Sequence, residues 1–352
     1  GGLGMHEYVG HIHLHSTFSD GGLSIPAIAK IGAQKGLDFL IVTDHQTLAG
    51  LDQGQEGYYD KTLLLIGMEV NEHSHHYLAV NIDKVVADNE NQPQQVIDEV
   101  NEQQGIGVIA HPVEKGSKFY HKGLVFEWTD WSVRGFQGIE IWNYLSRWRD
   151  ELTSVWRGLL LIIRPSVSLH KGPYRAILDI LDSYQMRGEP VFAYGGSDAH
   201  GIRIGLPWLA IVIGSYQVGF HSVNMHILTE TPLQGSLSYD REVIYQALAA
   251  GNSWVGCDYY HNSQGFRFML ESSQGKWGMG AKVAYRENMA LHVKTPRHAQ
   301  VSIIRNGKPW ASSQGHKHRF AVTRPGVYRV EASHRRLGRW QPWIFSNPIW
   351  II

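Results

Sequence analysis

In the stretch HIHLHSTFSDGG, residues 11 to 22, His11, His13 and His15 alternate with Ile12 and Leu14, and Asp20 follows closely. On an extended strand the alternation sets the three imidazoles on one face and the two aliphatics on the other. Stacked histidines serve solvent poorly. They serve a metal ion well, because the neutral imidazole is a borderline-soft donor.

The same theme recurs downstream, where the apolar runs LDFLIVTDH, TLLLIGMEV, GIGVIAHP, FQGIEIWN and PVFAYGGSDAH end in ligand-type residues. The inventory is His13, His15, Asp20, His45, Glu69, His76, His111, Asn143, Asp198 and His200. Each has a plain account alone, such as Asp20 in an Asx turn before Gly21 or His111 in a turn before Pro112. Their joint placement at run ends does not. Imidazoles and carboxylates without thiolate suit two or three divalent ions such as Zn, Mn or Fe, a carboxylate bridging a pair. Paired ions lower the pKa of bound water toward ~7 and so supply their own nucleophile. No G-x-S-x-G elbow or Cys/His arrangement competes with that reading.

The elements that must position these residues alternate strand and helix. SIPAIAKIGAQKG has Ser24 as N-cap, Pro26 in the first turn and Gly36 as a stop, and PQQVIDEVNEQQG runs from Pro93 to Gly105. Such alternation predicts a parallel sheet, and polar residues at the ends of many strands predict the active face of an α/β barrel rather than an open doubly wound sheet. The helix DREVIYQALAAG closes this domain. After residue 258 the texture changes to short alternating segments with Asn306-Gly307 as a hairpin signal and Pro325-Gly326 as a turn, which predicts a small antiparallel β domain over 259–352. Its aromatics, Trp310, Tyr328, Trp340, Trp343 and Trp350, fit either a sugar-binding face or core ballast, the latter being usual in a domain this small.

Composition narrows the function classes. The 352 residues carry 32 basic and 32 acidic side chains, so no charge footprint points to nucleic acid or an anionic membrane, and the partner expected is a small molecule. The single cysteine, Cys257, excludes an internal disulfide framework and fits a reducing compartment, hence a cytoplasmic location. A leader removed ahead of Gly1 would instead imply the periplasm or secretion. The longest aliphatic run, LLLII at 159–163, is far too short to span a bilayer. Oligomeric state is not readable.

The ordered motifs H-L-H-S-T-F-S-D-G, T-D-H-Q-T, G-M-E-V followed by H-Y-L-A-V, A-H-P and S-D-A-H resemble those of the polymerase and histidinol phosphatase (PHP) superfamily across about 200 residues. The resemblance implies a distorted (β/α)7 barrel, here followed by an antiparallel β-sandwich, with a di- or trinuclear site that hydrolyses phosphoesters. It implies that His13, His15, Glu69 and Asp198 hold one ion, Glu69 bridging, and that Asp20, His45 and His200 hold another. His111 and His76 each match a residue that could complete a third site. Asn143 stands where trinuclear members often have His or Cys, and His11 where an acidic residue is usual. The tail, from LAAGNSWVGCDYYHNSQGFRFML to the closing SNPIWII, resembles the carbaryl-hydrolase-like branch, whose named members cleave an aryl carbamate.

The function expected is a metal-dependent phosphoesterase in which a metal-bridging hydroxide attacks phosphorus, with His13, His15, Glu69, Asp198 and His200 as the catalytic set. Arg203, Lys115 and Asn143 are the candidate substrate contacts, and Arg147 and Arg149 flank Trp148 where an anion or an aromatic group could sit. A carbamate or carboxyl ester hydrolase with the same metals is the first alternative, its aryl pocket drawn from Trp128, Trp131, Trp142 and Trp148. A non-catalytic carbohydrate- or surface-binding protein is the second.

Overall fold

The computed structural model describes residues 5–206 and 209–352. Seven strands close into a barrel: β1 (His6–Leu14), β2 (Phe39–His45), β3 (Thr62–Val70), β4 (Tyr77–Val80), β5 (Ile106–Ile109), β6 (Gly138–Asn143) and β7 (Phe192–Ala199). Each pairs with the next in that order, and β7 returns to β1. All are parallel to their neighbours except β4, which runs antiparallel to both β3 and β5. The strands are buried on both sides, as their near-continuous aliphatic runs require.

A regular (β/α)7 repeat is not what forms. No helix separates β3 from β4, because an antiparallel neighbour can be reached by a tight link while a parallel one needs a crossover. The connection from β5 to β6 carries only the short 3-10 turn His121–Gly123, and its length is spent over the barrel mouth. Elsewhere the expected helices appear. α1 (Ile25–Gln34) places Pro26 in its first turn and stops before Gly36, whose φ of 73° a glycine adopts freely. Ser24 stands at the N-cap position without making a side-chain capping bond. α2 (Pro93–Glu102) opens on its proline as predicted.

The C-terminal strands do not form a detached sheet. β8 (Val223–Thr229) pairs antiparallel with the first half of β1, and β9 (Ser253–Cys257) pairs with β8. Beyond them lie β10 (Arg267–Ser272), β11 (Ala290–Arg305), β12 (Lys308–Ala321), β13 (Gly326–Arg336), β14 (Arg339–Ser346) and β15 (Ile349–Ile351). β9 pairs with β14 through Trp254 and Ser346, so hydrogen bonding runs unbroken from the barrel into the tail. The turn between β11 and β12 is Asn306-Gly307, both in the left-handed region at φ 48° and 71°. β11 changes partner along its length, pairing with β10 over Ala290–Lys294 and with β13 over Ala299–Arg305, which folds the sheet across its own core.

Trp343 and Tyr328 are buried in that second core. Trp350 and Phe345 pack into the barrel's core instead, Phe345 edge-on to Trp142 at 5.7 Å. Polar contacts reinforce this seam. Arg329 grips Asp182 with two bonds of 2.6 and 2.8 Å, and the Asn347 side chain accepts from the Ala193 amide at 2.7 Å.

Candidate metal centre

β1 reaches the site through a break in its own regularity. Its pairing with β7 shifts register between Ile12 and Leu14, where His13 takes φ 64°. A bulge of this kind re-aims side chains. His11 consequently belongs to a different network, bonding Asn224 at 2.8 Å and Ser197 at 2.6 Å, while His13 and His15 converge on the barrel mouth. Asp198, at φ 56°, and His111, at φ 24°, are also left-handed. Backbone strain in non-glycine residues concentrates at functional sites.

Glu69, at the end of β3, is the hub. Its Oε2 lies 3.2 Å from His13 Nε2, 3.2 Å from His15 Nε2 and 3.5 Å from His45 Nδ1. Its Oε1 lies 2.8 Å from His76 Nδ1 and 3.3 Å from His111 Nε2. Asp198 Oδ1 stands 3.3 Å from His13 Nε2 and 3.0 Å from His15 Nε2, and Asp20 Oδ1 stands 3.2 Å from His200 Nε2 and 3.7 Å from His45 Nε2.

Three donor groups result, each with its ligand atoms within 4.8 Å of one another: His13, His15, Glu69 and Asp198; His15, Asp20, His45 and His200; and Glu69, His76 and His111. The donors fit divalent cations on the chemistry of the set, and the buried Nδ1 atom of His15 has no hydrogen-bond partner. All nine sequence-predicted ligands are thus brought together, with His15 facing two groups.

The electrostatics follow from burial and crowding. Burial disfavours the His15 cation, but Asp198 and Glu69 outweigh it and push the imidazole up to about 10. Burial likewise opposes charge on His111, which Glu114 and Glu69 raise to about 9. Partial burial and the neighbouring His15 drive His45 down to about 4. Burial would raise Glu69 and Asp198, yet the surrounding imidazoles hold both well below the usual carboxylate range. Protons on the imidazoles compensate these carboxylates, and cations would replace them.

The cavity over this cluster has a volume of 530 Å³ and is walled by Tyr120, His121, Phe126, Leu145 and Ile202. The expected substrate contacts do not line it. Lys115 turns its ammonium over the Tyr174 ring at 5.1 Å, and Arg203 lies exposed on the strand Ile202–Leu206, whose neighbour Ile202 faces the cavity. Adjacent strand residues point to opposite faces, so both cannot. Asn143 is occupied, donating to Glu140 at 3.0 Å and accepting from the Ser146 amide at 3.0 Å as the N-cap of helix Tyr144–Asp150. Arg149, on that same helix, does line the cavity and pairs with Glu114. None of Trp128, Trp131, Trp142 and Trp148 lines it, so the aryl wall expected from them is absent there.

Sequence reasoning missed two orienting carboxylates. Glu140 Oε1 meets His13 Nδ1 at 2.9 Å, and its Oε2 accepts from the His111 amide at 2.9 Å. Glu114 faces His111 Nδ1 at 3.4 Å and accepts from Ser146 Oγ at 2.6 Å. The signal for Glu140 was available: a lone carboxylate between Ile139 and Ile141 on a buried strand has no business there without a partner.

No curated protein matches the chain. Among solved structures it is similar to a two-domain protein from Bacteroides vulgatus containing a predicted PHP-like metal-dependent phosphoesterase, at 14% identity over 97% of this chain and 96% of that one, TM-score 0.46. A candidate metal-dependent phosphoesterase from Bifidobacterium adolescentis is 16% identical over 57% of this chain and 92% of its own, TM-score 0.34. An amidohydrolase from Chromobacterium violaceum is 15% identical over 54% and 87%, TM-score 0.32. The narrower resemblance of the tail to carbaryl hydrolases finds no counterpart among these matches. The family comparison matches residues 11–141 to the PHP domain, a segment holding every cluster residue except Asp198 and His200. That segment takes in β2 to β5 whole, parts of β1 and β6, and most of the cluster, which is the extent of the chain's similarity to the PHP domain.

Proposed function

We propose that the protein is a metal-dependent phosphoesterase. The observation that carries this reading is Glu69, whose two carboxylate oxygens serve different imidazole sets at the mouth of a barrel. His13, His15, Glu69 and Asp198 would hold one ion, Asp20, His45 and His200 a second, and Glu69 with His76 and His111 a third. Bound divalent ions would lower the pKa of a coordinated water toward ~7 and neutralise phosphoryl charge.

The chain's own residues do the rest. Glu140 and Glu114 hold His13 and His111 so that Nε2 of each faces Glu69. Arg149 offers a buried guanidinium to an anionic substrate from the cavity wall, a role its forked geometry suits. Tyr120, Phe126, Leu145 and Ile202 meet the organic part and keep water from it.

The test is metal analysis with a substrate panel. Two or more transition-metal equivalents per chain, chelator-sensitive turnover of phosphomonoesters or diesters, and a selective loss on those substrates in Arg149→Ala are expected. Turnover of carbamate or carboxyl esters in preference, insensitive to Arg149→Ala, would assign the centre to carbonyl chemistry. Less than one ion per chain after metal loading would remove the hydrolytic reading.

A further inference from the structure

Two segments line the cavity mouth and a third follows on from its wall, and each leaves apolar side chains in solvent beside cations. In KFYHKGLVF, residues 118–126, Tyr120, His121 and Phe126 line the cavity while Phe119 and Leu124 are exposed next to Lys118 and Lys122. The helix Val155–Ile163 follows Leu145 and Arg149 of the cavity wall, and the Ser117 hydroxyl donates to the Leu152 carbonyl, tying its approach to the first segment. This helix buries only Gly158 and Leu161, leaves Trp156 81% and Ile163 75% exposed, and ends at exposed Arg164. In the third segment Ile202 lines the cavity while Ile204 and Leu206 are exposed beside Arg203.

Single exposed leucines are ordinary on soluble proteins, but a whole helix face of Val, Trp, Leu and Ile is not. None of the three segments, 118–126, 155–164 and 202–206, contains an acidic residue, and together they hold Lys118, Lys122, Arg157, Arg164 and Arg203. Among the described residues only Arg157 of these is paired with a carboxylate, Glu151. We propose that the cavity mouth docks on an anionic membrane surface, with the helix Val155–Ile163 lying in the lipid interface and the other two segments beside it.

The chemistry favours lipid over a second copy of the chain. A twofold self-contact of the three segments would set Lys118, Lys122, Arg164 and Arg203 opposite their own copies, with no carboxylate supplied by those segments themselves. Anionic headgroups answer both halves of the surface: apolar side chains enter the acyl boundary, Trp156 sits at headgroup level, and the cations meet phosphate. No helix among the described residues is long and apolar enough to cross a membrane, so this contact lies on the bilayer. The chain-wide balance of charge concealed the feature by averaging over it.

The experiment floats the full-length, metal-loaded protein with vesicles of phosphatidylcholine alone or mixed with phosphatidylglycerol, beside Trp156→Glu/Ile163→Glu and Arg164→Glu. Both variants change exposed side chains, and melting temperature checks that they fold. We expect flotation with the phosphatidylglycerol vesicles, weakened by salt, reduced about tenfold or more in the double variant and less severely in Arg164→Glu. Failure to float, equal flotation of the folded double variant, or partitioning indifferent to phosphatidylglycerol would each overturn the proposal. So would a wild-type dimer in light scattering that the double variant converts to monomers without any lipid binding, which would make the face a self-contact.

Discussion

His13 Nδ1 stands 2.9 Å from Glu140 Oε1, and both side chains are fully buried. The contact fixes the ring so that Nε2 faces Glu69 and Asp198. Carboxylates placed behind metal-binding imidazoles in this way typically govern affinity by 10- to 100-fold (about that range). Glu140→Gln should therefore fold, yet bind metal roughly 10- to 100-fold more weakly in a chelator competition. Unchanged affinity would reduce Glu140 to a packing role.

Asp198→Asn keeps a side chain that tolerates the left-handed backbone at φ 56° while removing the charge that meets His13 and His15. Turnover should fall by about a thousandfold or more, with cooperative unfolding near the parent's, because residues at a barrel mouth serve function more than stability. His15→Ala should behave alike. Retained kcat in either folded variant would show that these side chains are not ligands.

Beneath the barrel, His226 bonds Asp258 at 2.8 Å and approaches Glu7 at 3.3 Å, and Glu7 pairs with Arg267 at 2.6 Å. Burial opposes the His226 cation, but Asp258 and Glu7 raise it to about 9, above its ordinary 6.5. A raised folded-state pKa gives stability that is complete below about 6.5 and lost as pH climbs through 9. The melting temperature of metal-loaded protein should fall across that window by the equivalent of about 1–3 kcal/mol, and His226→Gln should flatten the slope. Parallel slopes in variant and parent would place the pH dependence elsewhere.

Cutting the chain after residue 258 removes β14, the partner of β9, and strips Phe345 and Trp350 from the barrel's core. It also leaves Asp182 buried without Arg329. Breaking a buried ion pair costs up to about 3–5 kcal/mol, less here because Arg175 stays 3.7 Å from Asp182, and the opened face is apolar. The shortened chain should aggregate, whereas a monodisperse, metal-binding product in light scattering would make the tail an independent module.

Arg149→Ala should depress turnover of anionic phosphoesters by about tenfold or more, and Arg203→Ala much less, since only Arg149 lines the cavity. Paired kinetics on one substrate decide it, and the reverse ranking would return the anion site to Arg203.

That the candidate ligands would gather was legible because ligand chemistry is carried by residue type: His, Asp and Glu at the ends of buried runs have few other uses. Strand and helix periods placed α1, α2 and six of the seven barrel strands, all but β4, for the same local reason, since a period is a property of neighbours in sequence. What pairing over long distance sets was not legible. The bulge at His13 that parts His11 from its neighbours, the antiparallel β4, and the β9–β14 pairing that runs the barrel's sheet into the tail all arise from contacts between distant segments. The substrate wall was misjudged on the same account, because whether Arg149 or Arg203 faces the cavity depends on how a helix and a strand settle against the mouth. Sequence determined which atoms could hold metal. Tertiary packing decided which of them meet at Glu69, and what surrounds them.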